Sequence, residues 1–245
     1  MISVVGGAVG TVGEGAIIDD AVARTQSLLD REAERARAYG VPVETRIDRG
    51  DPVRKLIDAS MVFDLLVIGS DYRGASDGPR RGPHGIRIVA GAHCPVAVVP
   101  DIDLTGRRGI VVGVDDSPSS ERAVEFAAAE ADRLGEPLTA VTTWSPVPVP
   151  FDMHAYPEEY LSAMQKLSEE TLAISLAGLR RDYPDVVVTP VIERGRPETT
   201  INRLAAEARL AVIGSNGKGA IARFLLGSTS REVLARMATA TVVIR

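Results

Sequence analysis

The sequence predicts an α/β protein made of two tandem, doubly wound parallel-sheet domains of Rossmann-like type, the first lacking its first strand–helix unit. Three observations carry this prediction. Strands alternate with helices along the chain, which is the pattern of parallel sheets covered by crossover helices. The two halves repeat one another in a fixed register. Residues 211–230, AVIGSNGKGAIARFLLGSTS, read as a strand, a glycine loop and a helix start. The domains are expected at 1–103, truncated and degenerate, and at 106–245.

The repeat is explicit. Leu65-x-Val67-Ile68-Gly69-Ser70 returns as Leu210-x-Val212-Ile213-Gly214-Ser215, so residue 65 corresponds to residue 210, an offset of 145. Ile47-x-Arg49-Gly50-x-Pro52 returns as Ile192-x-Arg194-Gly195-x-Pro197 in the same register. Gly74-Ala75 matches Gly219-Ala220, Gly82 matches Gly227, and Val96–Val99 falls on Thr241–Ile244. Two unrelated turns do not hold one register over such a length.

The second half is the complete copy. Ile110–Val114 is a continuous apolar run, as expected of a central parallel strand buried on both faces. After Asp115-Asp116-Ser117, Ser119 or Ser120 is positioned to cap a helix with Ala123, Phe126, Ala127, Ala131 and Leu134 inward and Gly135 at its end. Leu138–Thr143 reads as the second strand, followed by a Pro-rich loop, 145–157. A long helix is expected over Glu158–Arg180, with Leu161, Met164, Leu172, Leu176 and Leu179 inward. Val186–Ile192 is the third strand, and Pro197–Ala208 the third helix, with Pro197 in its first turn. Leu210–Ile213, a helix bearing Val233, Leu234 and Met237, and Thr241–Ile244 complete the unit. In the first half, Ile2–Val5 aligns with Thr139–Thr142, residues 14–39 with the long helix, and Val43–Ile47 with the third strand. Nothing there corresponds to Ile110–Gly135.

Composition narrows the function classes. The net charge of −5 and the lack of a long basic run argue against nucleic-acid and membrane-surface partners. No stretch approaches the ~18 apolar residues of a membrane span, and the N-terminus lacks a basic start before an apolar run. A single cysteine, Cys94, excludes an intrachain disulfide framework and fits a reducing cytoplasm.

The chemistry concentrates in Gly214-x2-Gly217-x9-Gly227-Ser228. Glycines let backbone N–H groups approach a ligand that a Cβ would fend off. A helix starting at Ser228 leaves N–H groups unpaired and pointing at the same place. Together they form a phosphate cradle. This spacing, preceded by an apolar strand, resembles the ATP-binding signature of the universal stress protein family. Val111-Val112-Gly113-Val114-Asp115-Asp116-Ser117 resembles that family's first strand and its acidic end. The resemblance implies that Val114 and Asp115 hold the adenosine, that the Thr143 backbone reads the adenine edge, and that Ile213 packs near it. It further implies that Gly214, Asn216, Gly217, Gly227, Ser228, Thr229 and Ser230 wrap ribose and phosphates. The implied ligand is ATP or ADP, alone or with Mg²⁺. The implied role is nucleotide-dependent stress response or regulation, with at most slow ATP hydrolysis. The family's domains pair through their last strands, which implies either a homodimer or an intrachain pseudo-dimer of Val96–Val99 with Thr241–Ile244.

The first half departs from the pattern. Tyr72 stands where Gly217 stands and Pro83 where Ser228 stands, so phosphate space is filled and an N–H donor removed. One ATP site per chain is therefore expected. Other chemistries fit poorly. The glycines Gly6, Gly7, Gly10, Gly13 and Gly15 satisfy no register of Gly-x-Gly-x-x-Gly. Lys218 is followed by Gly219, which breaks the Walker A pattern, and Ile213 breaks Gly-x-Ser-x-Gly around Ser215. His84, His93 and His154 are scattered, and His93-Cys94 alone is a poor metal site. Lys218 and Arg223 are equally readable as phosphate partners or as surface charge. The rival reading is an adenylating or ATP-hydrolysing enzyme of the wider adenine-nucleotide α/β group. Those enzymes usually carry Ser-Gly-Gly-x-Asp-Ser after the first strand, where this chain has Asp115-Asp116-Ser117-Pro118. A scaffold that binds no nucleotide is the third reading.

Overall fold

The computed structural model describes residues 1–6, 14–70, 83–147, 156–217 and 226–245, in two compact units, Met1–Met61 and Val62–Arg245. Outside the described residues lie Gly7, Gly10, Gly13, Tyr72, Gly74, Ala75, Gly82, His154, Lys218, Gly219, Ala220, Ile221, Arg223, Phe224 and Leu225 of the sequence reading.

In the first unit, strand β1 (Ile2–Val5) is followed by helix α1 (Glu14–Arg37), strand β2 (Arg46–Arg49) and helix α2 (Pro52–Ala59). β1 and β2 pair in parallel from Ile2↔Arg46 to Val5↔Arg49. The Asp51 side chain accepts from the Arg54 amide at 2.8 Å, and Pro52 takes the first helical position, where its missing N–H costs nothing.

The second unit holds β3 (Leu66–Gly69), α3 (Pro83–Gly91), β4 (Val96–Val99), β5 (Ile110–Gly113), α4 (Pro118–Leu134), β6 (Leu138–Trp144), α5 (Glu158–Leu176), α6 (Leu179–Asp182), β7 (Val188–Arg194), α7 (Pro197–Ala205), β8 (Leu210–Gly214), α8 (Ser228–Ala235) and β9 (Ala240–Ile244). Its sheet has seven strands in the order β3-β4-β9-β8-β5-β6-β7. All pairs are parallel except β4 with β9, where Val96 faces Val243 and Val98 faces Thr241. The intrachain pairing of Val96–Val99 with the final strand is thus present. From β5 the chain winds outward through β6 and β7 on one side and β8 and β9 on the other, which puts the switch point between β5 and β8. The core lies against these central strands. Ile110, Val112, Leu138 and Val212 are buried under the Ala123–Ala127–Ala131 stripe of α4 and under Leu172 and Leu179. Small alanines let the helix sit close to the sheet.

The repeat is visible in the hydrogen bonds. Ser70 donates its amide to Val99 O at 2.9 Å, and its counterpart Ser215 donates to Ile244 O at 2.7 Å. Gly50 and Gly195, the counterparts in the Arg-Gly-x-Pro turns, have φ of +127° and +151°. Such backbone strains any residue with a Cβ, so glycine recurs at both turns.

Several sequence expectations are corrected. The third strands lie later than the apolar runs suggested, at Val188–Arg194 for Val186–Ile192 and at Arg46–Arg49 for Val43–Ile47. Each lies at a sheet end, and its partner sets its extent, residue by residue from Leu138↔Val188 to Trp144↔Arg194 in the one case. Ile2 pairs with Arg46 as Val141 pairs with Val191, so β1 corresponds to Val141–Trp144 and not to Thr139–Thr142. The cap of α4 is Ser117, not Ser119 or Ser120, because Pro118 occupies the first helical position. The helix expected over Glu158–Arg180 ends at Leu176, before Gly178, and α6 resumes at Leu179. Glycine is a poor helix interior residue, and Leu179 is redirected into the core.

Candidate functional site

The site is built at the carboxyl ends of β5 and β8. β5 gives way to Val114, whose amide donates to Val141 O at 2.8 Å, while Thr142 Oγ1 donates to Val114 O at 2.5 Å. The chain then turns sharply. Asp116 adopts φ of +60°, a conformation Asp tolerates better than most residues, and Ser117 starts α4 behind it. Asp115 is exposed and doubly anchored. Its amide donates to Ser120 Oγ at 3.0 Å, and its Oδ1 accepts from the Ser117 amide at 3.1 Å. Oδ2 faces the loop that follows β8.

That loop is pressed against the start of α4. A Cβ on Gly214 would lie 2.6 Å from Ser119 Oγ and 3.0 Å from the Ser119 carbonyl carbon, and a Cβ on Gly217 would lie 2.7 Å from Asp115 Oδ2. Close approach of backbone requires glycine at Gly214, whereas a side chain at Gly217 would displace the Asp115 carboxylate. Asn216 O accepts from Ser117 Oγ at 3.1 Å and Ser119 Oγ at 2.6 Å, which pins the loop to the helix. On the far side of the loop, Gly227 donates its amide to Ser215 O at 2.8 Å, and buried Ser230 donates its hydroxyl to Gly214 O at 2.7 Å. The N-cap of α8 is Gly227 with no side-chain cap bond, unlike Ser117 at α4. The first backbone bond across its opening turn runs from the Arg231 amide to Gly227 O, so the first-turn amides before Arg231 face outward from the helix start.

These groups surround a cavity of about 640 Å³. Val114, Asp115, Thr143, Ile213, Gly214, Asn216, Gly217, Gly227, Ser228, Thr229 and Ser230 all line it, so the structure brings every nominated residue to one place. Thr143 is presented through its backbone. Val141 O accepts from Val114 N on the β5 side, and strand alternation turns the N–H and C=O of Thr143 to that same side. β5 has ended there, since its last pair with β6 is Gly113↔Val141. Among the described lining residues Asp115 is the only ionisable side chain. One end of the cavity therefore offers an acceptor-only carboxylate, and the other offers backbone donors at the positive end of a helix dipole.

Sequence reasoning missed the supporting and flanking groups. Ser117, Ser119 and Ser120 hold Asp115 and Asn216 in place. Their signal was the run of serines after Asp116, in which Ser119 and Ser120 read only as helix caps and Ser117 as part of the strand's acidic end. Leu167, Ser168 and Thr171 of α5 and Pro197 and Ile201 of α7 complete the wall. No local pattern marks these, because helices distant in sequence bring them there. Among the described residues no cluster of His, Cys, Asp and Glu is arranged to hold a metal ion, and no helix is long and apolar enough to cross a membrane.

Comparison with known proteins agrees with this architecture. The model of the universal stress protein family matches residues 8–100 and again 106–245. Universal stress protein Rv2005c of Mycobacterium tuberculosis is 36% identical over 207 residues, covering 83% of this chain and 69% of the relative. Universal stress protein Rv2623 of the same organism is 33% identical over 233 residues, covering 93% and 74% respectively. Among solved structures, a universal stress protein from Archaeoglobus fulgidus superposes with a TM-score of 0.69 at 22% identity, over 99% of this chain and 85% of that one.

Proposed function

The chain belongs to the universal stress protein family, and on that premise we propose that it binds ATP in the cavity between β5 and β8 and acts as a nucleotide-dependent regulator in stress response. The observation that carries the proposal is the polarity of that cavity. Asp115 presents its carboxyl oxygens as acceptors, which suit a ligand with hydroxyl donors, as a ribose has. The uncapped start of α8 and the loop at Gly217 select an anion. A nucleotide joins both features in one molecule. In this reading Val114, Ile213 and the Thr143 backbone take the base, Asp115 the ribose, and Gly217, Gly227, Ser228 and Thr229 the phosphates. Ser230 acts by holding Gly214 O, and Asn216 by its place in the loop. Each charge-assisted bond to a phosphate contributes about 1.5–3 kcal/mol, so three or four hold a polyphosphate without a lysine.

We assign the site to binding, with at most slow hydrolysis, in a cytoplasmic protein; Mg²⁺ would accompany the phosphates and not be held by a protein cluster. Calorimetric titration with ATP and Mg²⁺ tests the assignment. One site per chain is the expected result. A stoichiometry near two would show that the first half binds as well, and the absence of binding for both ATP and ADP would remove the nucleotide reading.

A further inference from the structure

The wall that α5 gives to the cavity has a polarity of its own. α5 packs on β6 and β7, so it closes the cavity on the side where β6 presents the Thr143 backbone, away from the loop after β8. Leu167, Ser168 and Thr171 are the residues it contributes to the lining. Ser168 and Thr171 lie three positions apart, which places their hydroxyls side by side on one face of the helix.

A hydroxyl has one proton to donate and two lone pairs to accept with. Ser168 Oγ donates its proton to Met164 O at 2.9 Å, and Thr171 Oγ1 donates to Leu167 O at 2.9 Å, each to the carbonyl one turn back on α5. Thr142, which lines the same end, donates its own to Val114 O at 2.5 Å. With their protons committed to the protein, these three hydroxyls meet a ligand as acceptors. The start of α8, across the cavity, offers backbone donors instead.

We propose, taking the cavity as a nucleotide site, that Ser168 and Thr171 are specificity-determining residues that accept a hydrogen bond from the amino group of a 6-aminopurine. That amine carries two N–H donors. The Thr143 carbonyl takes one while its amide donates to the ring nitrogen beside it, and the α5 hydroxyls take the other. A 6-oxopurine turns lone pairs to the same place. There it meets the Thr143 carbonyl and hydroxyls whose protons are already in use. It is accommodated only when a hydroxyl rotates and gives up its helix carbonyl, which costs about one hydrogen bond.

The test is titration calorimetry of the intact chain with ATP and with inosine triphosphate, whose purine carries a 6-oxo group. The wild type is expected to favour ATP about tenfold or more. Ser168→Ala combined with Thr171→Val removes both hydroxyls at nearly constant shape. That variant is expected to lose about tenfold in ATP affinity and to keep its affinity for inosine triphosphate. Thr171→Ser retains the hydroxyl and is expected to keep the wild-type ratio. An equal loss for both nucleotides, or an unchanged ATP affinity in the double variant, overturns the proposal and leaves the nucleotide site standing. A wild type that binds neither nucleotide removes the nucleotide reading itself, and this proposal with it.

Discussion

A methyl group on Gly217 would sit 2.7 Å from Asp115 Oδ2, well inside van der Waals contact. Gly217 is not among the described glycines with positive φ, so a side chain there acts by displacing the Asp115 carboxylate and filling the cavity, and not by straining the backbone. This sharpens the test of the cradle. Gly217→Tyr is expected to abolish ATP binding while the circular dichroism spectrum stays that of the wild type, because Gly217 is exposed and the ring has solvent to turn into. Ser228→Ala removes one hydroxyl and keeps the helix-start amides, so a loss of about 1–2 kcal/mol, or about 5–30-fold in affinity, is expected. Asp115→Ala should weaken ATP and ADP equally, since a carboxylate that meets the ribose does not sense the γ-phosphate. Titration calorimetry on the three variants checks the ordering. A Gly217→Tyr protein that binds ATP normally would show that the loop holds no phosphate.

At the scale of elements, two clamps hold β5 and α4, one at each end. At the site end, Ser117 caps α4 and also bonds Asn216 O. Ser117→Ala is expected to cost about 1 kcal/mol from the lost cap. It should also lower ATP affinity, because the loop after β8 loses one of its two serine ties. Thermal melting and calorimetry on the same variant separate the two effects. At the other end, buried Glu136 accepts from the Gly109 amide at 2.5 Å and pairs with Arg209 at 2.8 Å. Truncation leaves the Gly109 amide without its carboxylate, whereas Arg209, half exposed, can be solvated. Glu136→Ala is therefore expected to destabilise by about 1–3 kcal/mol, the cost of an unsatisfied buried amide. Its ATP affinity should match the wild type, since the cavity lies at the opposite strand ends. A parallel loss of affinity would mean that the sheet transmits strain to the site.

For the whole molecule, the antiparallel pairing of β4 with β9 makes the C-terminal sheet depend on residues from the first repeat. A protein of residues 106–245 exposes the β9 edge, and unpaired edges seek partners. It is expected to fold and to dimerise through β9, because β4 and β9 are counterparts and a second β9 can take the place of β4. Residues 1–100 alone are expected to aggregate or melt without cooperativity. They lack the central strand of a doubly wound sheet, and β1–β2 and β3–β4 belong to different sheets. Sedimentation of both fragments checks this. A monomeric 106–245 at all concentrations, or a cooperatively melting 1–100, would contradict it.

Local chemistry alone determined much of this protein. Alternating strand and helix patterns, the register shared by Leu65–Ser70 and Leu210–Ser215, and the glycine spacing from Gly214 to Gly227 are properties of short segments. They identified the fold class and the repeat, and the family resemblance they carry nominated the residues of the cavity. Tertiary structure decided what depends on a distant neighbour. The third strands begin where β1 and β6 pair with them, not where the apolar runs begin. Ser117 and Ser119 became ties to Asn216 O only when the loop after β8 packed on the start of α4. Leu167, Thr171 and Ile201 became cavity wall only when α5 and α7 packed on the sheet. The split of the first repeat also lay beyond local reading. A strand's preference for pairing is written in its residues, but which edge it finds is settled by the strands that are present. β3 and β4 share a sheet with β9, while β1 and β2 form a sheet of their own.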